Sequence, residues 1–254
     1  MKKVLVAAAG IVLASCAAFA SAEEVRVAVA ANFTAPAKDL QPVYEKATGD
    51  KLILSFGATG AFYAQIKNGA PFDILLAADA KTPKKAVEEG HGVAGSTFTY
   101  AIGKLVLWSA DDKLVGNDVA AVINSPAVKH VAVANAKLAP YGEAALQTLA
   151  KLGLEKAVEG KTVVGDNIGK TYQFVKTGNA EAGFIALSQC FKGGAFTSGS
   201  GYVIPQELYS PINQDAVLLK AGEKNEGAKR FLKFLRESQE AADVRAAYGY
   251  GTAK

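Results

Sequence analysis

Residues 165–171 (GDNIGKT) are similar to a nucleotide phosphate loop from which one residue is missing. The Walker A pattern G-x-x-x-x-G-K-[ST] needs four residues between its glycines, and only three separate Gly165 from Gly169. This shorter turn does not wrap a triphosphate, so we do not interpret the segment as a nucleotide site. A tight turn that opens a helix still offers backbone N–H groups to a smaller anion. We therefore expect backbone N–H groups of this turn to be the useful donors and the Lys170 side chain to point to solvent.

Three other segments place small, neutral polar residues where a predicted strand is followed by a predicted helix. These segments are residues 30–36 (AANFTAP), 56–62 (FGATGAF) and 137–145 (KLAPYGEAA). The start of a helix exposes N–H groups that have no internal acceptor and carries partial positive charge, and small residues let an anion approach closely. Each segment alone is an ordinary helix cap, with Asn32, Thr34 and Thr59 as good N-cap residues. Four such junctions in one chain favour a bound small anion, because ligands of α/β sheets lie at the carboxyl ends of the strands.

The four segments hold few charged residues and no arginine. An amino-acid-binding protein usually presents arginine to the carboxylate, and a nucleotide-binding protein needs a Mg²⁺ ligand and a longer loop. The pattern therefore favours a dehydrated dianion held by neutral donors. About five to seven charge-assisted hydrogen bonds of roughly 1.5–3 kcal/mol each would offset the cost of dehydration. A protonated oxyanion such as hydrogen phosphate also needs an acceptor, and Asp166 is left open as that acceptor.

Residues that usually carry catalysis or bind metal ions are scarce. The two histidines, His91 and His130, have no further ligand at motif spacing, and we interpret both as surface or strand-end residues. No G-x-S-x-G elbow is present. Cys190 is the only cysteine beyond the N-terminal segment, so the mature chain has no intramolecular disulfide. The sequence therefore offers few candidate catalytic residues, which favours a binding protein over an enzyme, and it predicts no metal-cation site.

The first 22 residues are predicted to be a secretory signal peptide and not part of the fold. Two lysines precede an apolar stretch, and residues 20–22 (ASA) form a small-residue cleavage site. Residues 13–16 (LASC) also fit a lipoprotein cleavage site, which would leave a lipidated Cys16 as the first residue. We favour cleavage after residue 22, because the apolar stretch continues past Cys16. Either cleavage predicts that the domain leaves the cytoplasm.

The mature chain of 232 residues carries 26 basic and 24 acidic side chains. This balance predicts no nucleic-acid-binding surface. Half of all residues are apolar, which is sufficient for a core held by burial alone.

Short apolar segments alternate along the chain with segments of helical periodicity. Three strand-like segments in the first third are each followed by an amphipathic helix, which predicts a parallel sheet covered by helices. A second series follows residues 98–108, a long strand-like segment that we expect to cross between lobes. Residues 215–219 are expected to return the chain, and residues 226–247 to complete the first lobe as its longest helix. The predicted fold class is α/β with two lobes and a ligand cleft between them: lobe I is 23–102 plus 216–254, and lobe II is 103–215.

Four stretches of the chain carry a resemblance to a known family. They are AVAANFTAPAKDL, LSFGATGAFYAQIKNGAPFDILLAADA, YGEAALQTLAKLG and AKRFLKFLRESQEAADVRAAYGYG, and the match covers nearly all of the mature chain. At these residues the sequence resembles the periplasmic molybdate-binding proteins of ABC importers. The resemblance implies the type II periplasmic-binding-protein fold, in which two α/β lobes bind molybdate or tungstate between them without a metal cation or an organic cofactor. It also implies the membrane permease of an ABC transporter as the partner, and a monomer.

The resemblance also implies which residues bind the anion. These positions are Asn32, Thr59, Gly60, Tyr141 and Ile168. Some members of the family use a tyrosine where this sequence has Ala186, and this departure puts a simple copy of the family's site in doubt. The hypothesis that follows is that the phenol of Tyr141 replaces the missing one.

Three alternatives to a molybdate-binding protein stay open at this point. A binder that prefers another tetrahedral oxyanion, such as sulfate, is the nearest, because both anions have the same charge and four-oxygen geometry. More distant alternatives are an enzyme on the same two-lobe fold and a signalling or adhesion domain. Binding is expected to shift an open pair of lobes toward a closed one that the transporter recognises.

Overall fold

The computed structural model describes residues 22–252, which form two lobes, each built on one five-stranded sheet. The strands are β1 (Glu24–Ala30), β2 (Lys51–Gly57), β3 (Ile74–Leu76), β4 (Phe98–Gly103), β5 (Leu105–Ser109), β6 (Val131–Ala134), β7 (Thr162–Gly165), β8 (Ala182–Ala186), β9 (Phe191–Lys192), β10 (Ala195–Phe196), β11 (Ser200–Val203) and β12 (Ile212–Leu218). The helices are α1 (Thr34–Thr48), α2 (Thr59–Lys67), α3 (Lys81–Glu88), α4 (Val119–Asn124), α5 (Pro140–Lys151), α6 (Glu155–Val158), α7 (Ile168–Lys176), α8 (Glu226–Glu237) and α9 (Gln239–Ala247). Short 3₁₀ turns occupy Ala31–Phe33, Leu187–Gln189, Gln206–Leu208 and Lys220–Gly222.

The N-terminal predictions can be compared with the structure only at their last residue. The predicted signal peptide, apart from Ala22, and the alternative lipidation site Cys16 lie outside the described residues. Within residues 22–252, every helix is too short or too polar to span a lipid bilayer.

The first sheet has the strand order β2-β1-β3-β12-β4. Strand β1 pairs in parallel with β2 and β3, and β12 pairs antiparallel with β3 and β4. The sequence of β1 accounts for its position, because Glu24 and Arg26 are exposed at its start and every residue from Val27 to Ala30 is buried. Its core packs against Tyr44 of α1 and Phe231 of α8.

The second sheet has the strand order β11-β5-β8-β6-β7. Strand β6 pairs in parallel with β7 and β8, whereas β5 pairs antiparallel with β8 and β11. Its core is formed by Leu107, Val131 and Phe184 from the sheet and by Leu149 from α5. The two covered sheets confirm the predicted α/β fold with two lobes.

The chain passes between the sheets at Lys104, which separates β4 from β5, and returns between Val203 and Ile212. Strand β12 lies wholly in the first sheet, since Ile212 already pairs with Gly103 of β4. The boundary at residues 215 and 216 that the sequence suggests therefore runs through the middle of this strand, next to an irregularity of register between Gln214 and Asp215.

The prediction of a single helix over residues 226–247 is wrong about its continuity. The segment forms two helices, α8 and α9, with Ser238 between them in extended conformation. The Ser238 hydroxyl oxygen accepts a hydrogen bond from the N–H of Ala241 and so caps the second helix.

Candidate functional site

The four segments that the sequence indicated all lie where a strand ends and a helical turn begins. Asn32 is in the 3₁₀ turn after β1, Thr59 is the first residue of α2, Tyr141 follows Pro140 in the first turn of α5, and Ile168 is the first residue of α7. First-turn N–H groups have no acceptor within their own helix. The structure therefore presents these amides at the carboxyl ends of strands in both lobes.

Contacts across the lobes bring these turns together. The N–H of Gly60 donates to the carbonyl oxygen of Leu138 at 3.0 Å, and the hydroxyl of Ser188 donates to the carbonyl oxygen of Asn32 at 2.8 Å. A Cβ built on Gly169 would lie 3.4 Å from the Cβ of Ala31. The two lobes thus meet in a closed arrangement, with the four turns converging on the boundary between them.

Thr59 is 1 % exposed, and its hydroxyl oxygen accepts a hydrogen bond from the N–H of Ala78 at 2.9 Å. This bond orients the side chain and leaves the hydroxyl hydrogen free to donate. Thr59 is therefore equipped to act as a pre-ordered neutral donor, as the sequence suggests.

Asn32 is also 1 % exposed, and its amide is held on one side only. The nitrogen Nδ2 donates to Gln214 Oε1 and to the hydroxyl of Tyr250, each at 2.8 Å. The oxygen Oδ1 is buried and has no hydrogen-bond partner. A buried amide oxygen without a partner is costly, so this position calls for a further partner.

Tyr141 is fully buried, and its hydroxyl accepts a hydrogen bond from Gln214 Nε2 at 2.9 Å. Burial raises the pKa of Tyr141 well above its usual value, so the phenol stays neutral. The phenol therefore belongs to a hydrogen-bond network that also includes Tyr100, whose hydroxyl lies 3.1 Å from Gln214 Oε1, and Tyr250.

Ala186, the position at which the sequence departs from the expected site, ends strand β8 in the core. Its N–H donates to Gln189 Oε1 at 2.9 Å, and Gln189 Nε2 donates to the carbonyl oxygen of Ile168 at 3.0 Å. Gln189 thereby connects the end of β8 to the first residue of α7 and holds Ile168 in place.

The sequence did not indicate Gln214, Tyr250 or Ser188 as site residues. Gln214 lies in β12 with no exposed surface, and Tyr250 comes from the last described residues of the chain. A glutamine in the middle of a buried strand is the one signal that could have drawn attention, because buried polar side chains need partners. The strand was expected to begin only at Asp215, so this signal was missed.

Charged side chains lie at the edges of the site. Asp166 is exposed, and the Lys170 ammonium lies 5.2 Å from the ring centre of Phe174 on its own helix. The Lys170 side chain is exposed and packs along the surface of α7, which agrees with the expectation that it points to solvent. Burial raises the pKa of Asp79, whose carboxylate accepts hydrogen bonds from the N–H and hydroxyl of Thr82.

A cavity of about 230 Å³ opens at the lobe boundary beside the first turn of α5. Its lining includes Asp79, Lys81, Pro140, Glu143 and Asn213, and Lys81 forms an exposed ion pair with Glu143 at 2.7 Å. The pair links α3 of the first lobe with α5 of the second.

Candidate catalytic and metal-binding residues remain scattered. Among residues 22–252, no three side chains of the His, Cys, Asp and Glu types cluster in a way that could hold a metal ion. His130 lies on the surface near Glu181. Cys190 is buried, and burial raises the pKa of its thiol to about 12, so the thiolate form is scarce at neutral pH.

Known proteins match this chain over nearly all of its length. Residues 25–251 match the family model of bacterial extracellular solute-binding proteins. The chain is 56% identical over 247 residues to the molybdate-binding protein ModA of Azotobacter vinelandii, covering 97% of this chain and 96% of that protein. It is 50% identical over 233 residues to the ModA protein of Rhodobacter capsulatus, covering 92% of this chain and 90% of that protein.

Solved structures show the same likeness. The periplasmic molybdate-binding protein of Azotobacter vinelandii superimposes with a TM-score of 0.86 at 36% identity, covering 91% of this chain and all of that chain. The sulfate-binding protein SubI of Mycobacterium tuberculosis superimposes with a TM-score of 0.70 at 11% identity, covering 90% of this chain and 86% of that chain. This likeness shows the fold alone. The family model matches almost the whole described chain, and two relatives are at least 50% identical to it. The protein therefore belongs to the bacterial extracellular solute-binding proteins.

Proposed function

We propose that this protein captures molybdate, and also tungstate, between its two lobes in the periplasm and delivers it to the membrane permease of an ABC transporter. The relatives named as molybdate-binding proteins, at 56% and 50% identity over nearly the whole chain, support this assignment. The observation that carries it is the convergence of four neutral helix and turn starts, from both lobes, on one boundary.

The proposed anion-binding residues are Asn32, Thr59, Gly60, Tyr141 and Ile168. Thr59 supplies its hydroxyl hydrogen, and Ile168 and Tyr141 supply first-turn N–H groups. We assign the backbone N–H of Tyr141 to the anion, and we assign its phenol, which accepts a hydrogen bond from Gln214, to the network between the lobes. The hypothesis that this phenol replaces the tyrosine missing at Ala186 is therefore not adopted in the proposal. Gly60 uses its own N–H to bind Leu138, so its part is to let the lobes approach closely.

Neutral donors suit molybdate because this dianion is fully deprotonated at neutral pH and only accepts hydrogen bonds. Each bond from a neutral group to a charged oxygen contributes roughly 1.5–3 kcal/mol in a pre-ordered site. No resident cofactor or metal cation is needed for this mode of binding, since the anion is the cargo. Sulfate has the same charge and shape and is smaller, so we propose that the size of the closed cleft separates the two anions.

Delivery follows from closure of the lobes. The contacts of Gly60 with Leu138 and of Ser188 with Asn32 form only when the lobes meet, so an anion that binds both lobes favours the closed form. We propose that the permease recognises this closed form of a monomeric protein. Binding of nucleic acid is not part of the proposal, because basic and acidic residues nearly balance.

Calorimetric titration of the anion-free protein with molybdate, tungstate, sulfate and phosphate tests the proposal. We expect tight binding of molybdate and tungstate and far weaker binding of the other two. Thr59→Val, which keeps the shape of the side chain and removes the hydroxyl, is expected to weaken molybdate binding roughly 10- to 100-fold. Lys170→Ala is the matched control and should bind like the wild type. Absence of heat with any of the four anions, or a hundredfold loss in Lys170→Ala, would overturn the assignment.

A further inference from the structure

The unpaired end of the Asn32 amide is its oxygen, which cannot donate a hydrogen bond to an oxyanion. Among the described residues, its Oδ1 is the one buried side-chain nitrogen or oxygen atom without a hydrogen-bond partner. Both hydrogens of Nδ2 point instead to Gln214 and Tyr250. A deprotonated oxyanion has no hydrogen to donate, so it meets an amide oxygen with repulsion and an amide nitrogen with a hydrogen bond.

Rotation of the Asn32 amide by half a turn would place Nδ2 where Oδ1 now stands, because the two ends of an amide have nearly the same shape. Rotation of Asn32 alone creates a new conflict, since its oxygen would face Gln214 Oε1, which lies 2.8 Å from the present nitrogen. Two acceptors at this distance repel each other inside a buried network. Gln214 must therefore rotate as well.

Rotation of both amides removes this conflict and leaves the hydrogens of Asn32 Nδ2 for the anion. Gln214 Nε2 then donates to Asn32 Oδ1, and Gln214 Oε1 accepts the hydrogen of the Tyr141 hydroxyl, which lies 2.9 Å from the present nitrogen. The Tyr100 hydroxyl keeps its bond to the carbonyl oxygen of Ala77 at 3.0 Å. The Tyr250 hydroxyl turns its hydrogen from the backbone of Asn32 to Oδ1 of the same residue.

We propose that Gln214 is a positioning residue for oxyanion binding, and that the amides of Gln214 and Asn32 rotate together when a fully deprotonated anion enters the cleft. The inference rests on the proposed function, which names Asn32 as an anion donor. Gln214 touches Asn32 of the first lobe and Tyr141 of the second, so it also transmits the orientation of the donor across the lobe boundary. Gln214 is buried in β12 directly before the register irregularity, and this position fixes its side chain between the lobes.

Gln214→Met tests this role, because methionine fills a similar volume and forms no strong hydrogen bond. We expect the affinity for molybdate to fall about tenfold or more, since the rotated Asn32 amide loses the donor that faces its oxygen. Gln41→Met is the matched control. Gln41 Nε2 donates hydrogen bonds to Glu45 Oε1 and to the carbonyl oxygen of Leu52, and Gln41 lies in α1 outside this network. The control should bind molybdate like the wild type.

Side-chain amide signals in the ¹⁵N NMR spectrum provide a second test. It uses the wild-type protein, so it does not depend on whether a variant folds. On addition of molybdate to the wild-type protein, the NH₂ signals of Asn32 and Gln214 should shift together while that of Gln41 stays in place. If the wild type binds molybdate but Gln214→Met binds within twofold of it, or the Gln214 signals do not move, this inference alone is overturned. If the wild type binds no oxyanion, the proposed function fails and the inference fails with it.

Discussion

Replacement of Gly60 by alanine is expected to change ligand affinity and protein stability in opposite directions. Gly60 lies in the first turn of α2, and its N–H donates to the carbonyl oxygen of Leu138 in the other lobe at 3.0 Å. A Cβ at this position would lie 3.2 Å from Leu138 Cα and 3.3 Å from Leu138 O. Since these are backbone atoms that cannot swing aside, the closed lobes must move apart by a few tenths of an ångström.

The size of the effect follows from the contact that is weakened. A hydrogen bond between backbone groups contributes about 0.5–1.5 kcal/mol net, which corresponds to roughly 2- to 12-fold weaker molybdate binding. The nearest atoms to the new methyl group all belong to Leu138 of the other lobe, so the opening of the lobes that the proposed function requires would remove this contact. Alanine is favoured over glycine in a helix by roughly 0.5–1 kcal/mol, so the free energy of unfolding of the ligand-free protein should rise by up to that amount.

Calorimetric titration with molybdate measures the first effect, and urea denaturation of the ligand-free protein measures the second. Gly116→Ala is the control, because a Cβ there meets no atom within 4 Å, and its affinity should be unchanged. Gly60→Val should lose more affinity than Gly60→Ala, since it adds further atoms against Leu138. Molybdate affinity of Gly60→Ala within twofold of the wild type would refute the reasoning, because the liganded lobes would then not approach at Gly60.

Other parts of the structure give further expectations. Lys192→Ala removes an exposed ion pair with Asp39 across the lobes (2.7 Å) and should weaken molybdate binding less than about fivefold, an effect that titration at about 0.5 M salt should abolish; a salt-independent loss would contradict it. Burial opposes ionisation of Asp50, but hydrogen bonds led by that of Arg230 outweigh it and lower its pKa to about 2. Its contribution to the free energy of unfolding, up to about 2 kcal/mol, is therefore complete above about pH 4 and lost as the pH falls through 2, so the stability gap between wild type and Asp50→Asn should narrow over that range in urea titrations. The thiol of Cys190, buried and with its pKa raised to about 12, should resist iodoacetamide at pH 8 until the protein unfolds, as followed by mass spectrometry.

Much of the fold could be predicted from local pattern. Strands such as β1 are visible because a polar start followed by an unbroken apolar segment is typical of a strand covered on both faces. The boundary at Ser238 was missed, because the apolar periodicity of α8 continues into α9 and only the capping bond to Ala241 marks the interruption. The start of β12 was missed for a related reason: its first residues alternate exposed and buried side chains around Gln214, and only pairing with β4 identifies them as strand.

Some residues of the candidate site could likewise be found from local sequence, and others only from the structure. The turns that hold Asn32, Thr59, Tyr141 and Ile168 could be found from sequence, because small polar residues at helix starts are a local signal. Their proposed role in binding molybdate stays a prediction. The partners that orient them could not be found, because Gln214 is 182 residues from Asn32 in the chain. No local pattern carries information over that separation.

The sequence by itself therefore determined the alternation of strands and helices, the neutral character of the turns and the shortage of catalytic groups, because each depends on residues that are neighbours in the chain. Only the tertiary structure decided which turns meet, and that Gly60 meets Leu138 across the lobes. It also decided that the amide of Asn32 is held by Gln214 and Tyr250 with its oxygen left unpaired. The physical reason is that hydrogen bonding in a buried network depends on the distance and direction between atoms, and these are set by the packing of the two sheets.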